Sequence, residues 1–416
     1  MPPRERKLPI TKPFFDRDEF RRVLEPLRSG WLVQGPQVAE FERLVATFCG
    51  ARHGVATTSC TTALHLALLA AGVRPDTEVL VPSFTYIATA NAVEYCGAKP
   101  IFCDIDLATF NLDPREVEAK LTARTAAVIP VHLFGLSADM DRIVEVCRAA
   151  GVAMVEDCAC SLGGYWSERH TGRFGLAGCF SFHPRKCITT GEGGMIITDD
   201  AAVAKRLRQL RDHGASRSDL ARHEGGGGTL LPDFDALGYN YRMSDIQGAL
   251  GVAQMGKLTR ILAERRTLAA RYDDLLSPLP WLTTPYLPEG ALHSYQSYVC
   301  LVRAEELGGM ERANIFRNRV MALLEERGVA CRQGTHAVHT LGYYRTKYGI
   351  AENALPRALA AERLSVALPL FVGLRKADQQ RVATELAAAR NEVLRQMDAP
   401  PSEEPRAQPD PKRQAA

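Results

Sequence analysis

Residues 126–157 read AAVIPVHLFGLSADMDRIVEVCRAAGVAMVED, and this stretch decides the fold class. The runs Ala126–Val131 and Val152–Val155 are almost continuously apolar, while Ala138–Ala150 between them spaces its apolar residues as a helix does. Parallel strands need such a crossover, and strands covered on both faces lose the alternation of polar and apolar residues. The stretch therefore predicts a strand–helix–strand unit of a parallel sheet.

The same alternation extends from this stretch toward the N-terminus. Two opening helices are predicted at 16–28 and 36–48, strands at 54–57, 78–81 and 100–103, and further helices at 61–71, 85–95 and 114–121. Sheets of this kind are mostly parallel and carry helices on both faces. We therefore predict an α/β fold with a large domain built on a mostly parallel central sheet.

Beyond Asp157 strands and helices no longer alternate regularly, and a second domain is predicted toward the C-terminus. The large domain, residues 1–275, is completed by strands at 178–182 and 195–198, a helix at 201–211 and one long helix from 244 to about 272. The proline-rich segment 278–288 marks a boundary. A strand at 298–302 and helices at 310–327 and 378–397 then predict a smaller C-terminal α+β domain, residues 276–397.

Two segments have compositions that do not predict packed structure. Residues 398–416 hold five prolines, mixed charges and no apolar residue larger than alanine. They cannot bury enough surface to offset the entropy of ordering and are predicted to be a disordered tail. The run Gly225–Gly228 is interpreted as a mobile connector rather than a phosphate cradle, because no strand leads into it.

The composition restricts the function classes. In 416 residues, 51 Lys and Arg stand against 48 Asp and Glu, and a net charge of +3 gives no reason to expect a nucleic-acid partner. No apolar run reaches the roughly 18–20 residues that a bilayer requires, and no apolar stretch follows the charged start, as a secretory signal would need. Eleven cysteines without a CxxC pair predict reduced thiols, so we expect a cytoplasmic protein.

Two segments that follow predicted strands carry candidate chemistry. In Thr58–Leu64, hydroxyl residues lie where a helix begins, and the unpaired N–H groups of a first helical turn bind phosphate. Simple N-capping by Ser or Thr explains the same residues. Glu156 and Asp157 end an apolar strand, at the edge where open α/β sheets bind ligands. A buried carboxylate there needs a cationic partner, although a capping carboxylate is the alternative.

Two later segments add a lysine and a group of aromatic residues. Phe180–Lys186 is a strand that runs into a loop, and Gly191–Gly194 leads into the next strand. Enclosure between two strands would lower the pKa of Lys186 and make its neutral amine nucleophilic, whereas a solvated loop lysine is the ordinary outcome. Leu237–Met243 places aromatic and polar residues before a helix that Ser244 would cap.

The order and spacing of these segments resemble one protein family. The shared motifs are Trp31–Pro36, Pro82–Asn91, Asp104–Asp106, Val131–Gly135, Glu156–Ala159, Ser181–Lys186, Gly191–Gly194, Arg211–Gly214 and Asn240–Asp245. From about residue 31 to residue 369 the sequence resembles the sugar aminotransferases of the DegT/StrS type. These are fold-type I enzymes that use pyridoxal 5′-phosphate (PLP), so the resemblance implies the fold-type I architecture and this cofactor.

The resemblance implies a role for each reactive residue. Lys186 would form the Schiff base with PLP and carry the proton during transfer, and Asp157 would pair with the pyridine nitrogen. Tyr86 occupies the position of an aromatic residue that stacks on the cofactor ring. The N–H groups of Cys60 and Thr61 would hold the phosphate.

The remaining contacts implied by the resemblance come from four other residues. The Ser181 hydroxyl would also bind the phosphate, and Asn240 would reach it from the neighbouring subunit, which implies a homodimer with composite active sites. Arg242 and His339 match positions near the substrate. The sequence departs from the family at Cys160, where many relatives carry a Gln or His that contacts the 3-hydroxyl of the cofactor. A thiol is a weaker hydrogen-bonding group, so Cys160 stands at this cofactor position without the contact that the relatives make there.

These residues lead to one function hypothesis and several alternatives. The protein is predicted to transfer an amino group from L-glutamate to a keto sugar, most simply a nucleotide-linked 4-keto or 3-keto deoxysugar, with a cyclic keto-polyol as the second acceptor. A PLP-dependent sugar dehydratase is disfavoured, since those relatives typically replace the lysine with histidine. A non-catalytic PLP-binding regulator would not need Lys186, Asp157 and Ser181 together. No GxGxxG motif supports a nicotinamide enzyme, and no ligand set accompanies His336 and His339, so no metal is predicted.

Overall fold

A computed structural model of the chain describes residues 7–217 and 232–398. The predicted glycine connector at 225–228 lies outside these residues, as does the predicted tail apart from residue 398. Over the described ranges the architecture is α/β, and the predicted fold class is confirmed.

The central sheet has seven strands in the described residues. They are β1 (His53–Thr57), β2 (Glu78–Pro82), β4 (Lys99–Cys103), β5 (Thr125–Val128), β6 (Ala153–Asp157), β9 (Ala177–Ser181) and β10 (Gly194–Thr198). Their order across the sheet is β1-β10-β9-β6-β5-β2-β4. Only β10 is antiparallel to its neighbours, so the sheet is mostly parallel, as the sequence predicts.

Helices cover the sheet and form the second domain. Their bounds are α1 (Arg17–Ser29), α2 (Pro36–Cys49), α3 (Cys60–Ala70), α4 (Ala88–Tyr95), α5 (Pro114–Lys120), α6 (Met140–Ala150), α7 (Ala201–Arg211), α8 (Asp245–Met255), α9 (Leu258–Leu276), α10 (Met310–Glu326), α11 (Gly342–Tyr348), α12 (Pro356–Leu364) and α13 (Lys376–Asp398). Short 3-10 helices lie at Leu133–Gly135, Glu305–Leu307, Val338–Thr340 and Glu352–Ala354. The largest core cluster packs sheet residues such as Val79 and Ile196 against Leu66 of α3 and Val93 of α4.

The single long helix predicted from 244 to about 272 is wrong, because the chain breaks between α8 and α9. Gly256 ends the first helix, and Lys257 leaves helical geometry with φ −121° and ψ 6°. The Lys257 ammonium is bound by Asp16 at 2.8 Å and Glu19 at 2.7 Å. Glycine is a poor helix former, and these ion pairs hold the lysine toward α1.

Short strands connect segments that are distant in the chain. They are β3 (Phe84–Thr85), β7 (Tyr165–Trp166), β8 (Arg169–His170), β11 (Leu282–Thr283), β12 (Ala291–Leu292), β13 (Tyr298–Val302), β14 (His336–Ala337) and β15 (Ser365–Leu368). The helix predicted at 85–95 begins only at Ala88, because β3 pairs with β14 instead. None of β3, β14 and β15 was predicted.

The C-terminal region contains an antiparallel sheet of β11, β13 and β15 with α10, α12 and α13 nearby in the chain. Its core also takes in Leu8 near the N-terminus and Leu268 and Tyr272 of α9. The predicted domain boundary at residue 275 lies one residue before α9 ends at Leu276, and it stays a prediction. No helix of the described residues is both long and apolar enough to cross a membrane.

Candidate active site

Three parallel strands of the central sheet end at one edge, and each leads to predicted site residues. Strand β6 ends at Asp157, β9 ends at Ser181 and β1 is followed at once by the start of α3 at Cys60. The carboxyl edge of an open α/β sheet is the usual place for a ligand. The fold thus brings together segments that are about 25 to 120 residues apart in sequence.

Asp157 is buried at this edge and only partly satisfied. Its Oδ2 accepts the hydroxyl of Thr89 at 2.8 Å, and its Oδ1 accepts the N–H of Ala159 at 3.1 Å. Burial raises the pKa of Asp157, while these hydrogen bonds and the nearby Lys186 act in the opposite direction. Two hydrogen bonds leave acceptor capacity on a carboxylate, so Asp157 can pair with a cationic ring nitrogen.

Lys186 extends its amine into the same region. Its Nζ donates to the Sγ of Cys160 at 3.2 Å. Burial lowers the pKa of Lys186, but Cys160, Cys60 and Asp157 together raise it more, and the net shift is upward. The sequence predicts the opposite direction. That prediction is wrong for the cofactor-free protein, because the effect of the surrounding acidic groups exceeds the effect of desolvation.

The start of α3 offers donors to an anion. The Ser59 hydroxyl accepts the N–H of Thr62 at 3.2 Å, and the Thr62 hydroxyl accepts the N–H of Ser59 at 3.1 Å, so this turn is closed by a capping box. In the described residues, the N–H groups of Cys60 and Thr61 have no hydrogen-bond partner. They remain available to a phosphate, as expected for a first helical turn.

A glycine fixes how closely this turn approaches the sheet. A Cβ on Gly194 would lie 2.3 Å from the carbonyl oxygen of Ser59, so any larger residue would displace the turn. Gly194 pairs with Ser181 across β9 and β10. The Ser181 hydroxyl accepts the N–H of His183 at 3.4 Å and keeps its own O–H to donate. An enclosed amine, a buried carboxylate and unpaired first-turn N–H groups thus fit PLP in charge and in hydrogen-bonding character.

The other predicted site residues have different surroundings. Tyr86 is 63% exposed, and Asn240 is exposed next to Tyr241, whose carbonyl accepts the N–H of Thr58 at 3.0 Å. The segment that carries Asn240 therefore borders the start of α3. Arg242 forms an ion pair with Asp212 at 2.5 Å.

His339 is fully buried, and both of its ring nitrogens are engaged. Nδ1 lies 2.6 Å from the Ser83 hydroxyl, and Nε2 lies 2.9 Å from the Glu352 carbonyl oxygen. The arrangement leaves no ring atom free for a substrate. The Cys60 thiol is also engaged, because its Sγ donates to the Cys179 carbonyl oxygen at 3.4 Å. Its backbone N–H is therefore the group that remains for a ligand.

Two contacts of the site were missed in the sequence. Thr89 lies inside the quoted Pro82–Asn91 motif, but only the fold shows that its hydroxyl binds Asp157. Ser294, from beyond the predicted domain boundary, donates to the carbonyl oxygen of Cys160 at 3.2 Å. The available signal for Thr89 was a second hydroxyl residue four positions after Thr85.

Three potential metal ligands lie behind the site. Atoms of His132, Glu156 and Cys158 fall within 4.8 Å of one another in the described residues. His132 Nδ1 accepts the N–H of Ala138 at 3.1 Å, which leaves its Nε2 proton to donate to Glu156 at 3.0 Å. These side chains form a hydrogen-bonded network in which the imidazole is already engaged on both nitrogens.

Comparisons with known proteins agree with this geometry. Residues 13–387 match the DegT/DnrJ/EryC1/StrS aminotransferase family. The spore coat polysaccharide biosynthesis protein SpsC of Bacillus subtilis is 37% identical over 364 residues, which cover 88% of this chain and 92% of SpsC. Helicobacter pylori PseC, an aminotransferase involved in the biosynthesis of pseudoaminic acid, is 25% identical with a TM-score of 0.85 over 93% of this chain and 100% of that chain.

A third relative has been solved with the cofactor in two forms. The PLP form of Spr1654 from Streptococcus pneumoniae is 26% identical, with a TM-score of 0.84 over 93% of this chain and 99% of that chain. Its pyridoxamine phosphate (PMP) form is 27% identical, with a TM-score of 0.85 and coverage of 93% and 100%. From the site geometry and this coverage together, the chain belongs to the DegT/DnrJ/EryC1/StrS aminotransferase family and is a PLP-dependent sugar aminotransferase.

Proposed function

We propose that the protein transfers the amino group of L-glutamate to a keto group at carbon 4 or carbon 3 of a nucleotide-linked deoxysugar. The products would be 2-oxoglutarate and the amino sugar. The observation that carries the proposal is the enclosed Lys186 amine, which is electrostatically coupled to the buried Asp157 at the carboxyl edge of the sheet. The names of SpsC and PseC, which refer to a polysaccharide and to pseudoaminic acid, support a carbohydrate acceptor.

Lys186 and Asp157 divide the chemistry between a base and a counter-ion. When bound, PLP supplies an electron sink for the bonds at the donor α-carbon. Lys186 Nζ is the covalent attachment point, and it accepts a proton from the donor α-carbon and returns it during transfer. The Asp157 carboxylate holds positive charge at the ring nitrogen, and Thr89 and Ala159 orient that carboxylate through their hydrogen bonds.

Five other residues of the same chain would surround the cofactor. The N–H groups of Cys60 and Thr61 and the Ser181 hydroxyl would bind the phosphate, since each has a proton to donate. Tyr86 would stack on the ring, and its exposed side chain leaves its face available. Cys160 would lie beside Lys186, in the position where relatives carry a Gln or His.

A homodimer would complete the site, with Asn240 binding the phosphate held by the partner subunit. Exposed large apolar side chains in α1 and just before Asn240 support such an interface, because interaction surfaces often expose apolar groups. Phe20 and Leu27 of α1 are 70% and 53% exposed, and Leu237, three residues before Asn240, is 87% exposed.

The acceptor side of the pocket would involve Arg242 and His339 in different ways. Arg242 retains guanidinium N–H groups beyond its bond to Asp212, so it could contact the sugar. His339 would act through Ser83, to which it is hydrogen-bonded, because neither ring nitrogen is free. We propose a positioning role for His339.

The function is tested by supplying L-glutamate with a panel of nucleotide-linked 4-keto and 3-keto deoxysugars and cyclic keto-polyols, with product masses measured. Lys186→Ala should abolish amine transfer. It should also abolish the covalent attachment of the cofactor to the protein that borohydride reduction produces in the wild type. Lys205→Ala, which removes an exposed lysine of α7, serves as the matched control and should behave as the wild type. Turnover by Lys186→Ala, or formation of a deoxysugar without net amine transfer, would reject the proposal.

A further inference from the structure

Three of the four partly exposed thiols of this chain lie around the Lys186 amine. Of the eleven cysteines, seven are buried, and the four that are half-buried are Cys60, Cys160, Cys187 and Cys331. Burial lowers the pKa of Lys186, and the Cys160 and Cys60 thiols both raise it. Cys187 is the next residue in the chain. Amine transfer as proposed above gives none of these thiols a chemical step.

The sulfur of Cys160 is held directly against the amine. Lys186 Nζ donates to Cys160 Sγ at 3.2 Å, and this is the one hydrogen bond that the amine makes to the described residues. The Cys160 carbonyl oxygen accepts the Ser294 hydroxyl at 3.2 Å, and the preceding Ala159 donates its N–H to Asp157 at 3.1 Å. These bonds fix the turn that carries the sulfur, whereas the stem of a lysine is flexible. The two atoms can therefore approach to bonding distance by movement of the lysine alone.

The other two thiols near the amine are less reactive than Cys160. Cys60 Sγ already donates to the Cys179 carbonyl oxygen at 3.4 Å. Burial raises the pKa of Cys60 and of Cys187, and a protonated thiol reacts slowly with peroxides because the thiolate is the nucleophile. Thiols that are accessible and lie beside a cationic side chain are the ones that peroxides oxidise. Cys160 meets both conditions through its half-buried position and its contact with Lys186.

We propose that Cys160 and Lys186 form a reversible oxidation site when PLP is not attached to the lysine. In the first step a hydroperoxide transfers one oxygen atom to Cys160 Sγ. The O–O bond breaks, an S–O bond forms, and water or an alcohol leaves with the thiol proton. The sulfur is oxidised to a sulfenic acid, and the peroxide is reduced.

The sulfenic acid then condenses with the amine that lies next to it. The neutral Lys186 Nζ attacks Sγ, an S–N bond forms, and the S–O bond breaks. The departing hydroxide takes a proton from the nitrogen and leaves as water. Sulfenic acids condense in the same way with thiols and with backbone nitrogen atoms. The product is a sulfenamide, which occupies the nitrogen to which PLP would attach.

Thiol reductants reverse the modification. A thiolate attacks the Cys160 sulfur, the S–N bond breaks, and the amine of Lys186 takes up a proton. A second thiol then releases Cys160 as a thiol and leaves with the first as a disulfide. The site therefore protects Cys160 from irreversible oxidation to the sulfinic acid. It also withholds Lys186 from PLP until reducing conditions return.

The test treats the cofactor-free protein with hydrogen peroxide and measures the intact mass, followed by peptide mapping. The wild type should lose about 2 Da, the mass of two hydrogen atoms, and should yield a linked peptide pair that contains Cys160 and Lys186. Its capacity to bind PLP should fall about tenfold or more and recover after dithiothreitol. PLP-loaded protein should be protected, because its lysine nitrogen is already bonded to the cofactor.

Four variants identify the partner of the oxidised sulfur. Cys160→Ser should abolish the mass loss, and Cys60→Ser should retain it. Lys186→Ala should stop at the sulfenic acid, which dimedone labels. Cys331→Ser is the matched control, because it removes a half-buried thiol whose Sγ donates to the Met321 carbonyl oxygen at 3.5 Å, and it should behave as the wild type.

Several results would overturn the proposal. Mass loss that persists in Lys186→Ala, or that disappears in Cys60→Ser, would assign the bond to a disulfide between thiols. Oxidation of the wild type to the sulfinic acid without a linked peptide would show that the amine does not capture the sulfur. Equal mass loss in the PLP-loaded protein would show that the lysine nitrogen is not the partner. These measurements use neither an amino donor nor a keto sugar, so they stand independently of the proposed acceptor.

Discussion

Glu156 and Asp157 are adjacent carboxylates at the end of β6, and they serve opposite purposes. Glu156 is fully buried and accepts the N–H groups of Gly172 at 2.6 Å, Phe174 at 2.7 Å and Gly175 at 2.8 Å, as well as the His132 ring at 3.0 Å. Asp157 accepts only two hydrogen bonds. Successive side chains of a strand point to opposite faces, so one position separates a saturated carboxylate from an available one.

The comparison shows how to distinguish a structural acid from a chemical one. Glu156 holds the loop 172–175 against the sheet through both of its oxygens, and little acceptor capacity remains for a ligand. Asp157 is buried almost as well, yet it keeps that capacity and has a raised pKa because of burial. A buried carboxylate that still has unused hydrogen-bond acceptor capacity, rather than any buried carboxylate, is the candidate functional group.

The largest effect is expected from Asp157→Asn. The amide keeps the shape and can still accept from Thr89, while its NH₂ faces the N–H of Ala159, and it cannot hold positive charge at the ring nitrogen. We expect amine transfer from L-glutamate to fall by about 10²- to 10³-fold, with a smaller loss of stability than in Glu156→Gln, because only one donor loses its acceptor. Single-turnover absorbance changes and urea unfolding measure the two effects.

The outcome that contradicts this prediction is a variant that unfolds more easily but turns over normally. Such a result would assign Asp157 to the same structural class as Glu156. An exposed carboxylate of the loop that follows Lys186, changed in Glu192→Gln, controls for the loss of a negative charge beside His183.

Glu156→Gln should show the reverse pattern. Four N–H donors point at the two Glu156 oxygens, and the amide NH₂ of glutamine would face at least one of these donors. Each buried donor left without a partner costs about 1–3 kcal/mol, so we expect the free energy of unfolding to fall by about 3 kcal/mol. The protein that remains folded should transfer amine at nearly the wild-type rate.

Urea unfolding followed by circular dichroism measures the loss, and turnover is normalised to the folded fraction. A loss of turnover as large as that of Asp157→Asn, with unchanged stability, would show that the two carboxylates act together. Glu116→Gln changes a partly exposed acid with ion-pair partners and gives the size of an ordinary effect.

The sequence predicts the position of Asp157 in the fold better than it predicts the pKa shifts of the charged groups around it. The apolar strands, the position of Asp157 at a strand end and the loop lysine follow from local patterns, and the fold confirms the strands. The direction of the Lys186 pKa shift does not follow from local patterns, because it depends on Cys60 and Cys160, which belong to different segments of the chain. Local composition predicts desolvation but not which charges will oppose it.

The same limit explains the errors in the fold. The break at Gly256 depends on Lys257 binding two acids of the N-terminal segment, about 240 residues earlier. Strand β3 depends on β14, about 250 residues later. Pairings over such distances leave no periodic signal in either segment, so the helix pattern was extended through them.

The smallest expected effect is a pH dependence of the unfolding free energy that arises from His170, close to Glu156. His170 lies in the hairpin before Gly172, the residue that Glu156 binds. Its Nδ1 lies 2.5 Å from the Thr171 carbonyl oxygen, and its Nε2 accepts the N–H of Gly163 at 3.0 Å, so the neutral ring is satisfied. Burial lowers the pKa of His170 to about 4. A protonated ring could no longer accept from Gly163.

The sign of the pH effect follows from the two protonation states. Between pH ~6.5 and ~4 the unfolded chain binds a proton at His170 and the folded chain does not, so stability falls as pH falls, by up to about 1.4 kcal/mol per pH unit. Asp157 acts in the opposite direction in the cofactor-free protein. Its raised pKa makes the folded chain bind the proton first, so its contribution to stability is lost as pH rises through that pKa.

Two variants separate these opposing contributions. Relative to His170→Gln, the cofactor-free wild type should lose about 1 kcal/mol of unfolding free energy between pH 7 and pH 5.5. Relative to Asp157→Asn, it should gain stability as the pH falls toward the folded pKa of the carboxyl group. Urea titrations at several pH values measure both differences. If the first difference were independent of pH, the pKa of His170 would be the same in the folded and unfolded protein, and a rise in stability as the pH falls would mean that His170 is charged in the folded protein. Either result would show that the hairpin next to Glu156 does not depend on a neutral acceptor at His170.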